Sequence, residues 1–160
     1  MLLQIAYIVA AAALVFLNGF FVLAEFAIVK VRATRLRELA DGGSVNARHM
    51  LSILGKMDAY LSTCQLGITV ASLGLGWVGE PAFAQLLEPL LRDLGFWSTA
   101  VTHTVAVATA FVFITAVHIV IGEQAPKFVA IRKAELSALV AARPLRVIHL
   151  VTFPGMWLLN

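Results

Sequence analysis

Apolar and polar positions are arranged in long blocks, not in the short periods of a soluble domain. Three runs approach or exceed the roughly 20 apolar residues that a bilayer-crossing helix needs: residues 2–29, uncharged up to Glu25, residues 59–78 and residues 99–121. Inside each run, small or polar residues recur at helical spacing. In the second, Ser62, Gln65, Thr69, Ser72 and Gly76 share one helical face, with Gly67, Ala71 and Gly74 beside it. In the first, Ala11, Asn18 and Glu25 are seven residues apart, and in the third Thr104, Ala108, Thr115, His118 and Gly122 share a face. Three such stripes can meet around a hydrated path. Stripes of Ser, Thr and Gly also serve as packing glue between membrane helices, with hydrogen bonds of about 1 kcal/mol or less.

Between the first two runs, Val31, Leu36 and Leu39 are interleaved with arginines, which predicts a short helix along the headgroups. Asp41-Gly42-Gly43 ends it, and Ser44 is placed to cap a second short helix reaching Leu54. Asp58 is placed to cap the second span. After the third run the tail is apolar (Leu145, Val147, Ile148, Leu150, Val151, Phe153, Trp157) but is interrupted by Arg143, Pro144, Arg146, His149 and Pro154. Residues 145–159 are short for a span, so an interfacial helix is favoured over a fourth crossing. The expected fold is an all-α membrane protein with three transmembrane helices plus short juxtamembrane or interfacial helices. Residues 1–133 form the membrane domain and residues 134–160 a juxtamembrane helix. The chain stops in apolar sequence, as expected of a fragment of a longer protein.

Composition agrees with a membrane setting: 61% hydrophobic, 13% charged and a mean hydropathy of +0.91. The net charge of +3 and pI near 9.4 do not point to nucleic acid, because the basic residues flank the apolar runs. Lys30, Arg32, Arg35, Arg37, Arg48 and Lys56 lie between the first two runs, and Lys127, Arg132, Lys133, Arg143 and Arg146 follow the third. The segment between the second and third runs holds Glu80, Glu88 and Asp93 against Arg92. The positive-inside rule then places the N-terminus outside and the C-terminus in the cytoplasm. The first run lacks a basic leader and is too long for a signal peptide. Cys64, the single cysteine, has no disulfide partner in the chain and is expected to be a packing residue.

The candidate chemistry lies in Gly122-Glu123-Gln124-Ala125-Pro126-Lys127. Pro126 cannot donate an amide to the carbonyl four residues back, that of Gly122. Irregular backbone at membrane depth is tolerated only where protein or a watery cavity receives it. A freed carbonyl beside the Glu123 carboxylate suits a hard cation, which takes oxygen ligands. A carboxylate near the centre of a span costs about 2.5 to 3.5 kcal/mol on insertion scales, which makes Glu25 and Glu123 functional candidates. The competing explanation for Glu123 is a pair with Lys127 at i, i+4, which leaves Gly122 and Pro126 unexplained. His118, one turn before Gly122, is expected to hydrogen-bond between helices. There is no HExxH, paired CxxC or Walker-type loop, and Ser44 and His49 lack a hydrolase constellation.

Taken together, Asn18 to Ala27, Leu61 to Thr69 and Gly122 to Lys127 resemble the transmembrane domain of the CNNM/CorC magnesium transporters, the region called domain of unknown function 21 in hemolysin-like proteins. Gly74-Leu75-Gly76-Trp77-Val78-Gly79-Glu80-Pro81 resembles the bacterial branch. The resemblance implies a plasma-membrane homodimer, three spans per subunit and a belt-like helix leading to cytosolic CBS domains absent from this chain. It also implies Mg2+ export, with inward sodium movement as the driving force. Carried over by position, Gly122 and Glu123 are ligands from the turn. Ser72 and Thr69 are candidates from the second span, and Glu25 serves sodium or an acidic entrance. Pro126, Lys127, Ser62, Gln65, Asn18 and His118 are supporting residues. The family's serine near Val22 or Ala24 is missing here, and so are the asparagines of some relatives between Gly67 and Ser72. The implied role is transport and not an enzymatic reaction. Rival readings are a membrane sensor or scaffold for magnesium handling and a purely structural dimerisation unit.

Overall fold

The computed structural model describes residues 2–93, 95 and 98–159, with side chains over 3–93, 95 and 98–152. All regular elements among them are helical: α1 (Leu2–Lys30), α2 (Ala33–Asp41), α3 (Val45–Leu54), α4 (Met57–Asp93), α5 (Thr99–Val117), a π-helical segment (His118–Gln124), α6 (Ala125–Arg132) and α7 (Ala134–Leu159). Three continuous rods are long and apolar enough to cross a membrane: residues 3–30, α4, and α5 through α6. Phe153, Pro154 and Trp157 of the tail lie outside the described side chains.

Local chemistry explains the short elements. Ser44 Oγ accepts the Ala47 amide and caps α3, which ends at Leu54 as expected. Gly43 reverses the chain after α2 at φ +94°, a conformation that glycine adopts without steric cost. Asp58 does not precede α4 as a cap but sits inside its first turn. The second span also runs farther than its apolar stretch, because α4 continues through Pro81 and Pro89 to Asp93.

The interior of the bundle is built from small residues. α1 packs against α4 through Ala11 and Val15 with Leu75, and α5 against α4 through Ala106 and Ala110 with Ala84. Without a hydrophobic drive between helices in lipid, such close backbone approach supplies the packing attraction. Large apolar side chains point outward instead, Trp77 being 85% and Phe16 71% exposed. The largest core lies at the basic end. There Ala24, Ala27 and Ile28 of α1 meet Leu36 of α2, Met50 and Ile53 of α3, and a row of α7, Ala138, Ala141, Ala142 and Leu145. Leu36 is therefore turned into protein, and α2 does not simply float on the headgroups. Cys64 is fully buried in this core as a packing residue.

Gly67 shows how tight the α1–α4 contact is. A methyl group placed there would lie 2.4 Å from the ring of Phe21, itself only 4% exposed. Gly67→Ala is expected to destabilise the bundle by about 1–3 kcal/mol. Thermal unfolding in detergent reads this as a lowered midpoint, and Phe21→Leu in the same chain should restore most of it. Additive losses in the double variant would show that the two residues do not press on each other.

Candidate cation site

Pro126 removes the amide that a regular helix would offer to the Gly122 carbonyl. The chain does not break there. It widens into π-helical turns over His118–Gln124, and the Ala125 amide reaches back five residues to the Val120 carbonyl. The Gly122 carbonyl is taken up from outside the helix: Asn18 Nδ2 of α1 donates to it at 2.9 Å, in a buried contact.

The rest of the cluster follows from donor and acceptor chemistry. A carbonyl only accepts, so the amide nitrogen of Asn18 faces Gly122. Its Oδ1 is left to accept from Ser72 Oγ of α4 at 3.2 Å. With its one hydroxyl proton used there, Ser72 receives the proton of His118 Nε2 at 3.3 Å. All three spans thus meet in one directed chain, His118 to Ser72 to Asn18 to Gly122. A methyl group at 122 would sit 3.0 Å from the His118 ring and 3.4 Å from Asn18 Nδ2, so the cluster would have to shift by a few tenths of an ångström to admit it. A cavity of about 190 Å³ adjoins the cluster, lined by Ser72, Gly76, Thr115 and His118 and extending along α4 to Glu80.

Other candidates lie elsewhere. Glu123 is exposed and forms no ion pair with Lys127, whose Nζ sits 4.8 Å from the centre of the Phe26 ring. Thr69 and Ser62 turn their hydroxyls back onto their own helix, to the carbonyls of Gln65 and Asp58. Gln65 is in hydrogen-bonding reach of Glu25, two turns along α1 from Asn18. In α5, Thr104 is exposed and bonds its own helix. Among the described residues no three His, Cys, Asp or Glu side chains converge on one point. The oxygens brought together are therefore neutral ones: Gly122 O, Asn18 Oδ1 and Ser72 Oγ.

A family profile described as the cyclin M transmembrane N-terminal domain matches residues 9–160. The chain belongs to the CNNM family. Among its relatives, the UPF0053 protein YhdT of Bacillus subtilis is 48% identical over 147 residues, covering 92% of this chain and 32% of the relative. YrkA of the same organism is 44% identical over 147 residues, covering 92% and 34%, and YugS is 42% identical over 156 residues, covering 98% and 36%. The chain thus spans about a third of the length of these proteins. As a CNNM membrane domain it is a multi-pass membrane protein.

In this CNNM domain, Glu80 and Thr115 line the cavity beside the cluster; the sequence reading assigned Glu80 no site role, counting it among the loop charges and in the motif of residues 74–81. The signal was present: Ser72, Gly76 and Glu80 continue one row at four-residue spacing. Asn18→Leu keeps the side-chain volume but leaves the buried Gly122 carbonyl without its donor, so it is expected to cost about 1–3 kcal/mol. Asn18→Asp offers a donor only while its carboxyl is protonated, so its unfolding midpoint should fall as the pH rises. An unchanged unfolding midpoint in Asn18→Leu would mean that another group satisfies the carbonyl.

Proposed function

We propose that this CNNM domain carries a divalent cation, Mg2+, out of the cytosol, driven by inward sodium movement. The observation supporting it is the Gly122 carbonyl, deprived of its helical donor by Pro126 and met by oxygen-bearing side chains from both other spans. Mg2+ is a hard ion that prefers six oxygens and gives up water reluctantly, so carbonyl, amide and hydroxyl oxygens with retained waters suit it. In the state described, Asn18 Nδ2 holds one of the two lone pairs of that carbonyl. Half a turn of the Asn18 amide presents Oδ1 in its stead, beside Ser72 Oγ and Gly122 O. Glu123, one residue along the π-helical segment, supplies the carboxylate when that segment rotates. Thr69, now bonded within its helix, is the next hydroxyl on the α4 face.

Carboxylates flank the cluster on both sides, which marks a path. Glu25 lies about 10 Å along α1 toward the basic end, and Glu80 about 12 Å along α4 toward the other. All Lys and Arg except Arg92 sit at the basic end, which by the positive-inside rule is cytoplasmic. Irregular helix at membrane depth, with the remaining spans rearranging around it, is a feature shared with other secondary transporters, although here the third span widens into π-helical turns and does not break. Assembly as a homodimer carrying cytosolic domains belongs to the same proposal, since the chain spans only a third of its relatives.

A second reading has its own observation. The four groups are joined to one another by hydrogen bonds, as in a polar packing lock, and such a lock fits a sensor or structural unit that moves no ion. Mg2+ flux through the chain reconstituted in liposomes, with and without an opposing sodium gradient, separates the two. Transport predicts flux that follows the gradient, is lost in Glu123→Gln, and falls about tenfold or more in Ser72→Ala. Normal flux in a correctly inserted Glu123→Gln protein would remove Glu123 from the site. An inert wild type whose unfolding midpoint ignores Mg2+ would favour the packing lock.

A further inference from the structure

At the basic end of the bundle, a cavity of about 620 Å³ opens between α3, the start of α4 and α7. Lys56, Arg143 and Arg146 line it, and among the described residues none of them lies within ion-pair distance of a carboxylate. Arg146 Nη1 contacts His49 Nδ1 instead. This contrasts with Arg35 nearby, which is held by Glu38 and Glu135 at 2.8 and 3.1 Å. The concentrated positive field is felt by the histidines. Desolvation, then Arg146, Arg143 and Arg48, push His49 below the usual imidazole range, and burial followed by Lys56 does the same to His149. Cations gathered without counter-charge repel one another, and an anion seated among them relieves that repulsion.

The other walls are apolar and fixed. The rings of Tyr60 and His149 lie 4.2 Å apart, and His149 Nδ1 is tied to Thr63 Oγ1 at 2.7 Å. Along α7 the order of residues is informative. Arg143 and Arg146 come first, and Val147, Leu150 and Val151 follow on the same face at i+4, i+7 and i+8 from Arg143. These three are 64%, 77% and 74% exposed. A cationic pocket thus leads into an apolar track, which complements a ligand with an anionic head and a hydrocarbon tail. A soluble phosphate would use the first part and leave the second bare.

We propose that this cavity binds the phosphate headgroup of an anionic phospholipid, with Lys56, Arg143 and Arg146 around the phosphate and an acyl chain along Val147, Leu150 and Val151. The lipid then fastens α7 to the start of α4 at the membrane surface, independently of whether the domain transports.

The test is native mass spectrometry of the chain in neutral detergent with equimolar phosphatidylglycerol and phosphatidylcholine. The wild type is expected to retain phosphatidylglycerol selectively. Arg143→Gln with Arg146→Gln should lower that retention about 30-fold, while Arg37→Gln with Arg132→Gln, a pair outside the cavity at the same end, should leave it intact. Lys56→Gln, an exposed position in the turn before α4, reads the same site with a loss of about fivefold should the double variant fold poorly. Equal retention of both lipids by the wild type would overturn the proposal, as would an equal loss in the outside pair. Displacement of the lipid by millimolar inorganic phosphate would overturn it in favour of a soluble anion.

Discussion

The amide hydrogen that Pro126 lacks governs how the three spans come together. A buried carbonyl without a donor is expensive in a bilayer, where water is not at hand to satisfy it. Here the loss falls on Gly122, and the donor comes from Asn18 on a helix 104 residues away in sequence. That contact fixes the rotation of α1 against the third span, and Ser72 then fixes α4 against both. The π-helical turns make the geometry possible. The contact row of the third span, Thr102, Ala106, Ala110, Ile114, His118, Gly122 and Pro126, has a strict four-residue spacing. In an α-helix each such step overshoots a full turn by about 40°, so the row would drift away from α1. The wider i to i+5 turn beginning at His118 opposes that drift and keeps His118 and Gly122 facing the cluster.

Rigidity is unevenly distributed around this point. The basic end is a multi-helix core in which α2, α3 and α7 clamp the end of α1 and the start of α4. The middle of the membrane has a much smaller buried cluster, Ala11, Val15, Leu75 and Ile114, with a narrow cavity beside it. Small side chains resist shear poorly because little interdigitation has to be undone when helices slide. The polar cluster therefore sits where the bundle is best able to rearrange, above a base that is not.

Much of this fold was legible in the sequence because the signals were local. The three apolar runs, the Ser44 cap and the glycine pair after α2 each depend on a few neighbouring residues. The extent of α4 was not legible, because Pro81 and Pro89 are read as helix ends in water, whereas a long span carries them through. The stripe assigned to the third span was half correct. Thr104 and Ala108 were read from a 3.6-residue period, but the buried row of α5 is Thr102, Ala106, Ala110 and Ile114, at four-residue spacing. At the site, the freed carbonyl was legible from Pro126 alone. Its occupant was not, since only tertiary packing shows that Asn18 reaches it.

Asn18 holds one of the two lone pairs of the Gly122 carbonyl, so a cation approaching from the Asn18 side competes with the amide hydrogen for it. A hydrogen bond of this kind contributes about 0.5–1.5 kcal/mol net, so it is firm enough to hold the helices in register and weak enough to be exchanged. The hydrogen bonds of the cluster also point one way, from His118 through Ser72 and Asn18 to the carbonyl. Turning the Asn18 amide withdraws the donor from Gly122 and in the same motion presents an N–H to Ser72 in place of the acceptor. One side-chain rotation therefore unlinks the third span from the first, while Ser72 and His118 still join the second and third. A cation that replaces the amide at Gly122 would couple its own binding to release of the contact that holds the first span to the third, the kind of coupling that alternating access needs under the transport reading.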